Sequence, residues 1–289
     1  MIVKILDVVI AGLVMGGIYA LIAVGLSLQY GVARVLNISH GEFIMLGAFG
    51  TWMLFTMVGI NPLISLVICG PIIFIIGFYI HKTLFRSLLN SSVSMDIFES
   101  KSMLATFGLL FIIQNIAILV WTADIKGYPY LNYGISLLGA VFPANRLVTL
   151  LFAVIIGAAF YLFLARTRLG KAIRAAAQDP RTAGLMGVNI NKVLALCFGL
   201  GAMMASFAGS LLSMCYPIAA NMGMEYAIIA IIVVVLGGLG SIVGSFIGGF
   251  ILGLIGSIVV YFEPSLALVA YYAIFTLLLL VKPTGIMGK

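Results

Sequence analysis

The residues best equipped for chemistry fall in one short stretch, Asn37-Ile-Ser-His-Gly-Glu42, where five of six positions are polar or Gly inside an apolar neighbourhood. His40 and Glu42 could act as an acid–base pair or begin a metal site. A site of either kind normally wants further ligands. The only other histidine, His81, lies far along the chain at the expected end of an apolar run. No catalytic residue, metal ligand or cofactor is therefore assigned. The alternative is an irregular turn buried at membrane depth, where non-helical backbone is tolerated if it lines a water-filled cavity. Gln29, Tyr30, Arg34 and Ser39 belong to the same polar cluster.

Three other groups of polar residues interrupt apolar runs. Gln114 and Asn115 sit in one run, and Tyr216, Asn221 and Glu225 flank another that ends in Gly237, Gly238 and Gly240. An ionised Glu at the bilayer centre costs about 2.5–3.5 kcal/mol, so Glu225 is expected near an interface or an aqueous vestibule. Gln29, Asn37, His40, Glu42, Gln114, Asn115, Asn221 and Glu225 form the candidate translocation path. No series of acids or arginines is spaced through the runs as an ion-coupling relay requires. The chain also lacks a phosphate-cradling G-x-x-x-x-G-K-[ST] loop. Energy for uphill transport must come from another subunit.

The third group is Arg166 to Lys192, RTRLGKAIRAAAQDPRTAGLMGVNINK, which holds six of the fifteen basic residues against one acid, Asp179. Asp179 offers a side-chain acceptor at an N-cap and Pro180 a pre-set φ at the first helical position. A short helix over Arg181 to Met186 is expected, stopped by Gly187 in the left-handed conformation, with Asn191 capping the next span. Arg166 to Arg174 are expected to extend the preceding helix with positive charge. Ala183, Met186 and Val188 make one apolar face; Ala-Gly-Leu-Met-Gly is small and smooth, shaped to fill a protein groove. The competing reading is a helix lying on lipid.

These groups need a membrane scaffold. The chain of 289 residues is 64% hydrophobic and 8% charged, with a mean hydropathy of +1.28, far from the roughly 25% charged usage of soluble domains. Apolar runs of the length that crosses a ~30 Å hydrocarbon core fall near 8–28, 42–58, 63–81, 102–121, 147–164, 192–214, 225–236, 244–262 and 266–282. The fold class is an all-α polytopic membrane protein of about eight or nine transmembrane or half-membrane helices, one permease domain over 1–289. The short coupling helix lies in a cytoplasmic loop, 165–191. The run at 225–236 is short enough to be a half-helix. The net charge of +7 reads as basic residues anchoring cytoplasmic loops and implies no nucleic acid. By the same rule the basic loop is cytoplasmic, with Lys82, Arg86 and Lys101 on its side. The segment from Thr122 to Arg146, with Tyr128, Tyr130 and Tyr133, lies outside. A nine-span count puts Lys282 and Lys289 inside and the N-terminus outside; an eight-span count moves one terminus. The run from Val8 to Leu28 reads as a retained first helix. Cys69, Cys197 and Cys215 read as packing residues. Small residues at four-residue spacing (Ala202, Ser206, Ser210; Gly240, Gly244, Gly248; Gly249, Gly253) allow close helix contact, within the fold, along a solute path or against a second copy.

In combination, Gly25-Leu-Ser-Leu-Gln-Tyr-Gly31, Asn37 to Glu42 with Leu46-Gly-Ala48, Arg168-Leu-Gly-Lys-Ala-Ile-Arg174 through Gly187, Leu236-Gly-Gly-Leu-Gly-Ser-Ile-Val-Gly244 and Lys282-Pro-Thr-Gly285 carry a resemblance. The chain resembles the LivH-type permeases of branched-chain amino-acid ABC importers. The resemblance implies an inner-membrane subunit paired with a LivM-type permease, two cytoplasmic ATPases and a periplasmic or lipid-anchored substrate-binding protein. It also implies that Arg174 and Gln178 to Gly187, with Asp179, Pro180, Arg181, Ala183, Gly184 and Met186, couple to the ATPase. Gln178 replaces an acidic residue usual in the family. The alternatives are an importer of the same class carrying urea or short amides, and a stand-alone channel or secondary carrier.

Overall fold

The computed structural model describes residues 2–137, 140–282 and 284–288; Pro283 and Lys289, which figure in the sequence reading, lie outside them. Twelve α-helices follow in chain order among these residues: α1 Ile2–Ala33, α2 His40–Val58, α3 Pro62–Ile80, α4 Arg86–Asn90, α5 Met95–Trp121, α6 Ala144–Arg166, α7 Arg168–Gln178, α8 Pro180–Leu185, α9 Ile190–Ser213, α10 Gly223–Gly237, α11 Ile242–Phe262 and α12 Ala267–Val281. Side-chain caps mark where several begin, as at Asn61, Ser94 and Ser241, which accept from Leu63 N, Ile97 N and Gly244 N. A π-turn, His81–Phe85, joins α3 to α4, so Pro62–Asn90 is one 29-residue span. His81 thus lies part-way along a helix and not at its end; it is buried with its ring 5.9 Å from that of Phe198.

Two helices form the centre. The middle of α1, from Ile18 to Leu28, and nearly all of α9 are buried. Around them α3, α5, α6 and α12 turn apolar side chains outward, with Val67 72%, Leu119 84% and Leu280 81% exposed. Such exposed aliphatic faces are tolerable only against hydrocarbon. The small-residue ladders lie inside this arrangement. A methyl added to Gly16 would sit 2.8 Å from Phe250 Cα, and one on Gly25 2.6 Å from Gly201 O. Ala202 meets Gly77, Ser206 meets Gly47, Gly244 meets Gly237, and Gly249 and Gly253 meet Ala20 and Gly16. These ladders are internal contacts between helices, which lipid alone would not drive together.

Among the described residues eight helices are long and apolar enough to cross a membrane, and α10, at 15 residues, is shorter. The span count resolves through α10. Its far end lies beside the C-terminal tail, where Ile286 N and Met287 N donate to Leu236 O and Gly237 O, at 2.9 and 3.1 Å. The turn after it packs Gly240 on Gly31, near the end of α1. Its near end is reached by an irregular stretch from Ser213, which pairs Ile218 with Lys126 on the opposite face. Irregular lead-in and half-helix together complete a ninth traverse. Asp7 lies 3.6 Å from Arg146, placing the start of α1 on the face of the 122–146 segment. The two termini therefore lie on opposite faces, with the C-terminal tail at the basic end. The all-helical class holds, with one small addition: Gly134–Leu137 and Ala140–Pro143 pair as two short antiparallel strands on the opposite face.

Candidate functional site

The polar turn sits where α1 ends and α2 begins. Arg34, at φ +53°, ends α1 in a backbone region that side chains rarely occupy, and the chain turns back into the bundle. Gln29 Nε2 donates to Phe198 O at 2.9 Å, Asn37 Nδ2 to Gln29 Oε1 at 3.1 Å, and Ser39 Oγ to Asn37 Oδ1 at 2.6 Å. Ile38 N donates to Thr106 Oγ1 of α5 at 3.2 Å. His40 Nε2 donates to Ile22 O at 3.0 Å, which leaves Nδ1 as the unpartnered nitrogen. The start of α2 is thereby level with Ile22 and Gly25, well inside the 32-residue α1. Gln29, Asn37, Ser39, His40 and Glu42 are all buried. In this conformation the turn is packed against protein and not solvated, because three helices, α1, α5 and α9, supply its hydrogen-bond partners.

Glu42 is the exception within that network. It is 0% exposed and neither carboxylate oxygen has a hydrogen-bond partner. It faces the first residue of α10. A side chain on Gly223 would collide with the Glu42 carboxylate, and one on Gly41 would collide with Gly223 O. Two helix N-termini thus meet inside the bundle, one turning outward from the basic end and the other returning toward it. Beyond the contact, Asn221, Met224 and Glu225 are exposed, and Tyr226 packs its ring 6.5 Å from that of Tyr19. Among the described residues no three His, Cys, Asp or Glu side chains gather as a metal site.

The second region lies at the basic end. The helix after α6 is not its extension: Thr167, at ψ 158°, breaks the chain and caps α7 by accepting from Gly170 N at 3.0 Å. Arg174 donates to Leu164 O and to Ala165 O, placing its charge on the carbonyl end of α6, where a cation is favoured. Asp179 caps α8 by accepting from Arg181 N at 2.9 Å and from the Thr182 hydroxyl. Those bonds, the Thr182 one foremost, hold its carboxyl below the usual carboxylate range. Pro180 takes the first helical position, and Gly187, at φ +88°, stops the turn. The cap of α9 is Asn189, accepting from Lys192 N at 3.0 Å, and not Asn191; the helix begins two residues earlier than the apolar run suggested. Ala183 points inward at 5% exposure, whereas Leu185 and Met186 are 88% and 81% exposed. Gln178, Arg181 and Gly184 are also exposed. A cavity of about 460 Å³ lined by Ser27, Gly31, Tyr161, Arg174 and Ser241, among others, opens between α7, α6, α1 and the start of α11, beside the buried contact that Ile173 and Ala176 make.

With this geometry in place, the sequence can be compared with known proteins. The family model described as branched-chain amino acid transport system / permease component matches residues 8–281. The chain belongs to that permease family. It is 33% identical to the high-affinity branched-chain amino acid transport system permease protein LivH of Salmonella typhimurium, over 96% of this chain and 94% of that protein. The corresponding permease BraD of Pseudomonas aeruginosa is 30% identical over 98% and 96%. A solved structure, PsaBC from Streptococcus pneumoniae in complex with Fab, aligns with 98% of this chain and 97% of that one at a TM-score of 0.53 and 13% identity. That likeness shows the fold alone.

The permease's remaining candidate residues lie elsewhere. Gln114 and Asn115 are on α5, a rim helix that meets the polar turn through Thr106 and α2 through Trp121. Asn115 is exposed and donates back to Phe111 O at 2.8 Å, so its polarity is absorbed by its own helix. The structure does not bring this pair to Glu42. Leu185 was missed by sequence reasoning, because a six-residue helix gives too few turns to tell its inward from its outward face.

Proposed function

We propose that this permease is the membrane subunit of an ATP-driven importer of branched-chain or related amino acids in the cytoplasmic membrane. It would pair with a second, LivM-type permease, take energy from two cytoplasmic ATPases, and receive solute from a periplasmic or lipid-anchored binding protein. The observation that carries the reading is α8. It is a capped two-turn helix at the basic end, anchored inward by Ala183 and presenting Leu185 and Met186 outward. Two bare apolar side chains beside Arg181 suit a groove in a soluble protein. The cavity behind α7 leaves room for that segment to move relative to the central helices. The candidate coupling residues are Arg174, Gln178, Asp179, Pro180, Arg181, Ala183, Gly184, Met186 and Gly187, with Leu185 now added.

The exposed face of α10 supports the pairing. Glu225 and Asn221 are exposed beside helices at membrane depth, where lipid contact is costly for an ionisable group. A polar path shared with the second permease would remove that cost, with Gln29, Asn37, His40 and Glu42 behind it. ATP-driven closure of the ATPases would shift the permease pair between outward- and inward-open states.

The test is reconstitution of the chain in proteoliposomes, alone and with the ATPases, second permease and binding protein. Uptake of leucine should require all parts and ATP. Accumulation by the lone chain without ATP would overturn the reading in favour of a carrier. In the full assembly Gly184→Glu or Leu185→Glu should leave ATP hydrolysis running while uptake falls; normal uptake would reduce α8 to a lipid anchor.

A further inference from the structure

Glu42 calls for a physical explanation that the packing of the helices does not supply. Its carboxylate is wholly enclosed, at a depth where an ionised acid is expensive, and has no hydrogen-bond partner. It is aimed at the start of α10, a 15-residue helix whose N-cap, Met222, provides no side-chain acceptor. The first amides of any helix lack partners within it, and the macrodipole adds about half a positive charge there. An uncapped helix start and an unbonded carboxylate thus face each other at van der Waals distance, with Gly41 and Gly223 allowing the approach. Replacing either glycine by a residue with a side chain would separate them.

This arrangement holds both halves of a receptor for a zwitterion. A free carboxylate attracts an ammonium group, and an uncapped half-helix start inside a membrane protein attracts a carboxylate. A neutral amide or urea would need neither, and could be held by Asn or Gln side chains at much lower desolvation cost. Asn221, two residues before α10, and Glu225, in its first turn, are exposed beside this contact, where the solute path was placed above.

We infer that Glu42 and the first turn of α10 form the intramembrane recognition site for the charged backbone of an α-amino acid. In the solute-free state Glu42 takes the position of the solute's carboxylate and closes the site. When solute enters, its carboxylate displaces Glu42 to reach the amides of Gly223, Met224 and Glu225, and the freed Glu42 pairs with its ammonium group. The inference rests on the transport reading above for the identity of the solute and for access from the α10 face. It assigns Glu42 a part in specificity, as a group that touches the solute and rejects molecules lacking the ammonium.

The test uses the complete importer in lipid nanodiscs, with a reporter Met224→Cys in a Cys215→Ala background; the other two cysteines are buried. Protection of the reporter from a thiol reagent is measured against leucine, leucinamide, which lacks the carboxylate, and 4-methylpentanoate, which lacks the ammonium. Leucine should protect at concentrations roughly tenfold or more below either analogue. Glu42→Gln should weaken leucine about tenfold while leaving 4-methylpentanoate unchanged, and Glu42→Asp should keep the preference for leucine. A purely structural Glu42 would shift all three solutes together. Equal protection by the three solutes in the unsubstituted protein, or none by leucine, overturns the site even if Glu42→Gln fails to assemble. Failure of ATP-driven uptake, measured separately in proteoliposomes, would count against the transport reading while the protection data still decided the site.

Discussion

The contact between α2 and α10 and the segment from Thr167 to Asn189 are both interruptions in a run of apolar helices, and they are stabilised in opposite ways. At the basic end each turn is held by its own neighbours in sequence: Thr167, Asp179 and Asn189 cap helices two or three residues away. At the polar turn the anchoring partners are remote: Gln29 reaches Phe198, Ile38 reaches Thr106, and Gly41 abuts Gly223. Local capping keeps a segment folded while leaving its outer face free, as the docking proposed for α8 requires. Remote packing fixes a geometry that no local change can restore, which is what holding two helix starts together inside a membrane demands.

The sharpest break in this contrast is predicted at the centre. Gly223→Val should displace Glu42 or α10, costing about 1–3 kcal/mol from overpacking, and should abolish uptake; a melting curve of the purified permease will show the loss. Gly187→Val, the strained counterpart at the basic end, has open space around it; it should disturb only the α8 turn and leave the melting temperature closer to that of the unsubstituted protein.

Next in size is Leu185→Glu. An exposed substitution changes stability by no more than about 0.5 kcal/mol, so uptake should fall while the melting curve stays in place. A shift comparable to that of Gly223→Val would erase the distinction between the two regions.

Asp179 should show a smaller effect through pH. Because its carboxyl is held below the ordinary range, the charged cap stabilises the folded segment. That contribution is complete above the ordinary carboxylate pKa of about 3.9 and is lost as pH falls through the lower folded value. Hydrogen exchange at Arg181 to Ala183 should accelerate there, and Asp179→Ala should exchange fast at every pH. The smallest effect belongs to Asn115→Leu on the rim, which should leave uptake unchanged in the same assay, since its amide serves only Phe111 O.

The two regions also differ in how far the sequence revealed them. Asp179-Pro180 and Gly187 were legible because capping depends on residues adjacent in the chain. Asn189 displaced Asn191 and Thr167 broke a helix expected to continue, since both caps lie where polarity changes over one or two residues. Asn37 to Glu42 was legible as a polar cluster but not as a packed one, because its hydrogen-bond partners are on α1, α5 and α9. Gln114 and Asn115 were grouped with it by polarity alone, and only the rim position of α5 separates them.

By itself the sequence determined the membrane-spanning helical class, the basic side, the cap at Asp179 with its stop at Gly187, and the family, since hydrophobic run length, charge and cap chemistry act over short distances along the chain. Only the tertiary structure decided that small-residue ladders pack inward, that a 15-residue helix with its irregular lead-in completes a traverse, and that Glu42 faces the start of α10. Those outcomes depend on which remote backbones approach closely, and a glycine in the sequence permits such an approach without naming its partner.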